Sequence, residues 1–269
     1  MVEEMRSRFV LGLMMGALIV SLFILLRATE NVLLIAVAVQ LIFYIVLPLP
    51  FLSYHFKKHG MKLRDTLFFR GTSRWLLPLF GLTVLVLMFS MSIYWLMLRA
   101  LMVISPIAVG FALTPQPLPN TVWYLVATGF IIAGIAPFVE EFVFRGVILH
   151  RLMETFGFWK GIGLSSLIFG IFHINFFGAF LFAVVASLLY LKSGNLLIPI
   201  LLHMINNAIA VYQSFVNPSF PNWLMVTSTN ELYTKAAPNL LVLFVSTALL
   251  LFIIDRMARG LDNKTKSIE

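Results

Sequence analysis

The chain has 269 residues, of which 61% are hydrophobic and 11% charged. A soluble domain is nearer half apolar and a quarter charged, so this balance excludes an ordinary soluble globule and points to a bilayer. The lack of cysteine excludes thiol catalysis, disulfides and thiolate metal ligands, and the net charge of +8 has to be placed along the chain before it is read, because in a membrane protein it reports topology more often than nucleic-acid binding.

Apolar runs of roughly 17–25 residues mark helices that cross a bilayer. Residues 9–26 form the first, fenced by Arg6, Arg8 and Arg27; without an A-x-A-like cleavage site, and with further runs behind it, it reads as a retained helix. Residues 32–52, closing on "LPLP", form the second, and residues 75–98 the third. Residues 101–120, ending "TPQPLPN", read as a partly apolar loop or re-entrant segment. A long helix over residues 123–150 carries a charged cluster, and residues 161–173, 176–191, 196–213 and 240–254 complete a set of eight. The fifth is left short by His173, Asn175 and Gly178. The expected fold is all-α: a single polytopic membrane domain over residues 1–269, with about eight transmembrane helices around a polar cavity and a catalytic core at about 121–214.

With the N-terminus inside, fifteen Lys and Arg fall on the inner side and three, Arg27, Arg99 and Lys235, on the outer; Arg145 lies within a span. Such a bias on short loops predicts cytoplasmic termini. The densest stretch, "KKHGMKLRDTLFFRGTSR" at residues 57–74, reads as an anchor beside anionic lipid headgroups.

The fourth span contains "PFVEEFVFRG", residues 137–146. Glu141 and Arg145 are four apart, acid before base, and so stack on one helix face as a pair. Glu140 has Phe144 at the matching place and lacks a cation on its own helix. Burying a carboxylate without a cation penalises its ionised form, which suits it to act as a base. A solvated helix end is the bland alternative, and the cluster by itself does not decide between them. The other spans tip the balance: "FGIFH" brings His173, and "HMINN" brings His203 and Asn207, four apart on one side of their helix. Counted at about 1.5 Å per residue from the inner ends, the carboxylate, both imidazoles and the amide fall at one depth in the cytoplasmic half, to within about a turn.

In this order, E-E-x-x-x-R (Glu140 to Arg145), F-x-x-x-H (Phe169 to His173) and H-x-x-x-N (His203 to Asn207) resemble the CAAX prenyl endopeptidase and bacteriocin-processing (abortive-infection) superfamily. The motifs span residues 140–207, and the branch most similar in character is the CAAX protease that cleaves after a prenylated cysteine. The resemblance implies a membrane protease needing no cofactor and no metal, whose partners are a prenylated C-terminal peptide or protein and membrane lipid, and not nucleic acid. It implies that Glu140 deprotonates a water which His173 orients or whose proton His173 shares, and that His203 and Asn207 hold the oxyanion. Glu141, held by Arg145, is then structural or secondary. Three rivals share these residue types. Glu140, His173 and His203 would also suit a metal-dependent protease. "GLSS" at residues 163–166 near His173 suggests, more thinly, a serine protease. A proton-coupled transporter or an immunity protein would also keep buried Glu and His.

Overall fold

The structure, a computed structural model, describes residues 32–46, 71–114 and 121–261 continuously, with isolated positions between residues 12 and 68. Most of the expected span at residues 9–26, the flanking Arg6, Arg8 and Arg27, most of the basic stretch at 57–74, and Lys264 and Lys266 lie outside the described residues. Among the described residues the elements are α1 (Val32–Leu41, extended by a π-helical turn Ile42–Val46), α2 (Ser73–Ile104), α3 (Pro106–Leu113), α4 (Val122–Phe156), α5 (Phe158–Ile171), α6 (Phe176–Ser193), α7 (Leu197–Phe215), α8 (Glu231–Thr234) and α9 (Ala236–Ala258). Helices α2, α4, α6, α7 and α9 are long and apolar enough to cross a bilayer, and α5 and the Leu33–Val46 helix are shorter apolar helices. These seven coincide with seven of the eight expected spans. The protein is an all-α polytopic membrane protein.

Several boundaries differ from the expectation, among them the end of α4, at Phe156 rather than residue 150. Nothing in the sequence "RALMVI" interrupts a helix, so α2 runs on to Ile104, and a second helix starts at once. Ser105 caps it, its Oγ accepting from the Ala108 N–H at 3.3 Å, with Pro106 at the first helical position. The expected loop is therefore helical over most of its first half, and residues 115–120 lie outside the described residues. At the other end, α9 begins at Ala236 rather than at residue 240.

Between α4 and α5 stands only Gly157, whose φ of +83° is the left-handed conformation that glycine adopts without strain. The two helices then lie so close that a Cβ at Gly161 would fall 2.5 Å from the Met153 backbone nitrogen and 2.6 Å from its Cα. Backbone cannot yield as a side-chain tip can. Gly161→Ala is expected to force the pair apart at a cost of about 1–3 kcal/mol, read as a lower melting temperature in detergent. An unchanged melting temperature would disprove the close approach.

The turn between α5 and α6 does not lie at the end of the bundle. Asn175 docks it on α2, its Nδ2 donating to the Ser90 carbonyl and Oγ, both at 2.8 Å. Ser90 is roughly 26 Å along α2 and roughly 21 Å short of its far end, at 1.5 Å per residue. Irregular backbone at such depth needs internal partners. Here Asn175 also caps α6, its Oδ1 accepting from the Gly178 N–H at 3.2 Å. The result is a turn tied by Asn175 to the middle of α2, with Ile171, Phe172 and Ile174 exposed on its outer side.

Two contacts made by cations join distant parts of the chain. The Arg99 guanidinium lies 4.2 Å above the Tyr233 ring, next to Lys235 in sequence, whereas Lys192 Nζ donates to the Arg256 carbonyl at 3.2 Å.

Candidate active site

Glu140 and Glu141 sit near the middle of α4, between two π-helical turns, Ile131–Ile135 and Phe142–Ile148. Inserted π turns break the regular i→i−4 ladder, release carbonyls and re-aim side chains, and they recur at functional sites. One consequence is direct: the carbonyl of Ile132 accepts a hydrogen bond from Asn207 Nδ2 at 2.9 Å.

The expected split between the two glutamates is present. Glu141 is fully buried, and its Oε1 accepts from Arg145 Nη1 at 2.8 Å and from His203 Nδ1 at 2.8 Å. Arg145 is itself buried, donates through Nη2 to the Ala183 carbonyl at 3.3 Å, and lies 4.8 Å above the Phe169 ring. This guanidinium is matched by an anion, a carbonyl and a π face, the conditions under which a buried charge is tolerated.

Glu140 is partly buried and has no cation within salt-bridge reach on α4. Its partners come from elsewhere. Tyr44, on the π-helical turn of α1, donates to Oε1 at 3.1 Å, and His203 Nε2 stands 3.8 Å from Oε2. Oε2 is buried and makes no hydrogen bond.

The ring nitrogens can be assigned from their partners. A carboxylate only accepts, so His203 Nδ1 carries the proton that it shares with Glu141, leaving Nε2 facing Glu140. His173 Nδ1 lies 2.8 Å from the Phe169 carbonyl, which also only accepts, so its Nε2 is the free nitrogen in the neutral ring. The same Phe169 stacks on His173, centroids 4.5 Å apart and planes 24° apart. The F-x-x-x-H spacing thus has a local cause: residues four apart on a helix meet, and one phenylalanine fixes the imidazole by both ring and carbonyl. His173 itself sits just past the last helical residue of α5, in the docked turn, rather than within the helix.

His173, His203 and Asn207 line one cavity of about 310 Å³, together with Asn206, Asn175 and Ser90 and, on its apolar side, Val86, Phe172 and Phe182. Glu140 is not on its wall; it lies behind His203. The structure therefore gathers the expected residues into two overlapping sets. Glu140, Glu141, Arg145 and His203 form a charged network, His173, His203 and Asn207 form a polar cavity wall, and His203 belongs to both. Asn207 spends one amide hydrogen on Ile132, leaving the second as its remaining donor. Among the described residues no group of three or more His, Asp or Glu side chains is arranged to hold a metal ion. Ser166, in "GLSS", is buried with an unpaired Oγ and lies off the cavity wall.

Sequence reasoning missed Tyr44, Asn206 and the Ser90–Asn175 joint. Tyr44 and Glu140 are 96 residues apart, and Ser90 and Asn175 are 85 apart, so no local spacing reports either contact.

Residues 119–209 match the family described as Type II CAAX prenyl endopeptidase Rce1-like. The chain is 31% identical over 142 residues to the membrane-embedded CAAX protease MroQ of Staphylococcus aureus (strain USA300), covering 44% of this chain and 56% of that protein. It thus spans just over half the length of the curated relative it matches. No solved structure matches. The resemblance to the CAAX prenyl endopeptidase superfamily holds, and the segment that carries it contains Glu140, His173, His203 and Asn207.

Proposed function

We propose that this protein is an intramembrane endopeptidase that removes the C-terminal tripeptide from prenylated CAAX substrates, with a water activated by Glu140. The observation that carries this reading is the geometry of Glu140. It is a partly buried carboxylate with one oxygen held by Tyr44 and the other unpaired, 3.8 Å from the Nε2 of His203, which itself lines a polar cavity. A carboxylate so placed is a proton acceptor within reach of a water shared with the imidazole.

In this mechanism Glu140 takes a proton from water as the water oxygen bonds to the scissile carbonyl carbon. The free Nε2 of His173 accepts a hydrogen bond from the same water and orients it. The developing oxyanion receives the second amide hydrogen of Asn207 and, when His203 is protonated, its Nε2–H; each such donor contributes roughly 2.7–4 kcal/mol in other hydrolases. The C–N bond then breaks, and the proton held by Glu140 passes to the leaving amine. Glu141 and Arg145 act only through His203, by fixing which nitrogen faces Glu140. The apolar side of the cavity, Val86, Phe172 and Phe182, suits the isoprenoid chain, and the active site lies in the cytoplasmic half of the bilayer with both termini on that side.

The test is cleavage of paired C-terminal peptides, prenylated and unprenylated, by purified protein with and without a strong chelator. Cleavage three residues from the end of the prenylated peptide alone, unaffected by chelator, is the expected result. Cleavage that needs added zinc, or no cleavage of either peptide, would overturn the reading.

A further inference from the structure

We propose that Tyr44 is a positioning residue for the Glu140 carboxylate, so that the Leu33–Val46 helix, which lies outside the segment shared with the family, completes the active site. This rests on the reading of Glu140 as the base.

The terminal torsion of a glutamate is broad, so the plane of an unbraced carboxylate swings through a wide range of angles. A single donor on one oxygen removes that freedom. The Tyr44 hydroxyl supplies such a donor to Oε1 at 3.1 Å, and the geometry leaves the other oxygen, Oε2, buried, unpaired and facing His203 Nε2. The hydroxyl thereby determines which lone pairs are offered to the shared water.

Its own placement is fixed by the fold. The π-helical turn Ile42–Val46 packs against both Ile131–Ile135 and Ala136–Glu141, the two α4 segments that precede and contain Glu140. Two π turns therefore meet beside the carboxylate, one bringing the tyrosine and the other offering the Ile132 carbonyl to Asn207. Tyr44 also differs in kind from Glu141 and Arg145: it touches the base itself, whereas Glu141 touches His203 and Arg145 touches Glu141.

A role confined to packing would survive loss of the hydroxyl, since phenylalanine fills the same space. The experiment uses full-length protein in detergent and the prenylated peptide. Tyr44→Phe is expected to lower kcat about tenfold with KM within twofold, because a hydrogen bond to an ionised group is lost only from the reacting carboxylate. Phe43→Leu, a packing change one residue away, is expected to leave kcat unchanged. A thermal-melting cycle of Tyr44→Phe and Glu140→Gln reads the contact without activity, and the two shifts are expected not to add. Wild-type kcat in Tyr44→Phe, or additive melting shifts, would overturn the positioning role while the proposed function stands. A wild-type protein that cleaves no peptide overturns the proposed function, and the role of Tyr44 with it.

Discussion

Glu140→Gln is expected to lower peptide cleavage by about 10²- to 10⁴-fold while the protein still inserts and melts close to the wild type. Glutamine has nearly the volume of glutamate, and its carbonyl oxygen can accept from Tyr44 as Oε1 does at 3.1 Å. What it cannot do is take a proton. Because the carboxylate lies behind His203 and not on the cavity wall, substrate binding should be little changed, and the loss should appear in kcat rather than KM. Circular dichroism and thermal melting report the fold, and steady-state cleavage of the prenylated peptide reports the rate. Retention of more than about a tenth of the wild-type rate would move the base elsewhere, with the free Nε2 of His173 the next candidate.

The second large effect is on stability and belongs to the neighbouring residue. Glu141→Gln should destabilise the protein by about 3–5 kcal/mol, because it leaves the buried Arg145 guanidinium without its anion. The Ala183 carbonyl and the Phe169 ring remain, but Arg145 Nε has no hydrogen bond to begin with, so little is held in reserve. The same change withdraws the anionic acceptor from His203 Nδ1 and frees the ring to turn. The double replacement Glu141→Gln with Arg145→Met should recover much of the stability, since an apolar side chain of similar length replaces the stranded charge. It should not recover the rate, because His203 is still unbraced. Chemical or thermal unfolding in detergent measures both variants. A loss below about 1 kcal/mol for Glu141→Gln would mean that Arg145 is not sealed from solvent.

How much of this could be read beforehand follows from the range of each interaction. Seven helices show in apolar runs, because a bilayer imposes length and hydropathy on each span separately. The Glu141–Arg145 pair shows in a spacing of four, and so does the alignment of His203 with Asn207. Boundaries were less legible. The run 100–104 is apolar whether it is helix or loop, and only the cap at Ser105 separates α2 from α3. The π turns have no signature in residue spacing, although they decide that Ile132 offers its carbonyl and that Arg145 meets Ala183. The partners of Glu140 were not legible at all: Tyr44 looks like any tyrosine in an apolar run until α1 is packed on α4. The position of Glu140 behind His203, rather than on the cavity wall, likewise depends on how α7 leans against α4.

The pairing of Glu141 with Arg145 on one helix also bears on how the protein is made. A polytopic chain enters the bilayer from its N-terminal end, and a lone charge at the centre of a helix costs about 2.5–3.5 kcal/mol to insert. His203 follows Glu141 by 62 residues and so is synthesised after the whole of α4. Arg145 is already present one turn away, and α4 can cross as a helix that carries its own counter-ion. For Glu140 the waiting partner is Tyr44, inserted 96 residues earlier. Each carboxylate therefore meets a partner on arrival, and no bare anion has to dwell in lipid while the remaining helices are made. The imidazole that joins the two glutamates is the last component to arrive, so the charged network closes only when the helices around it are already in place.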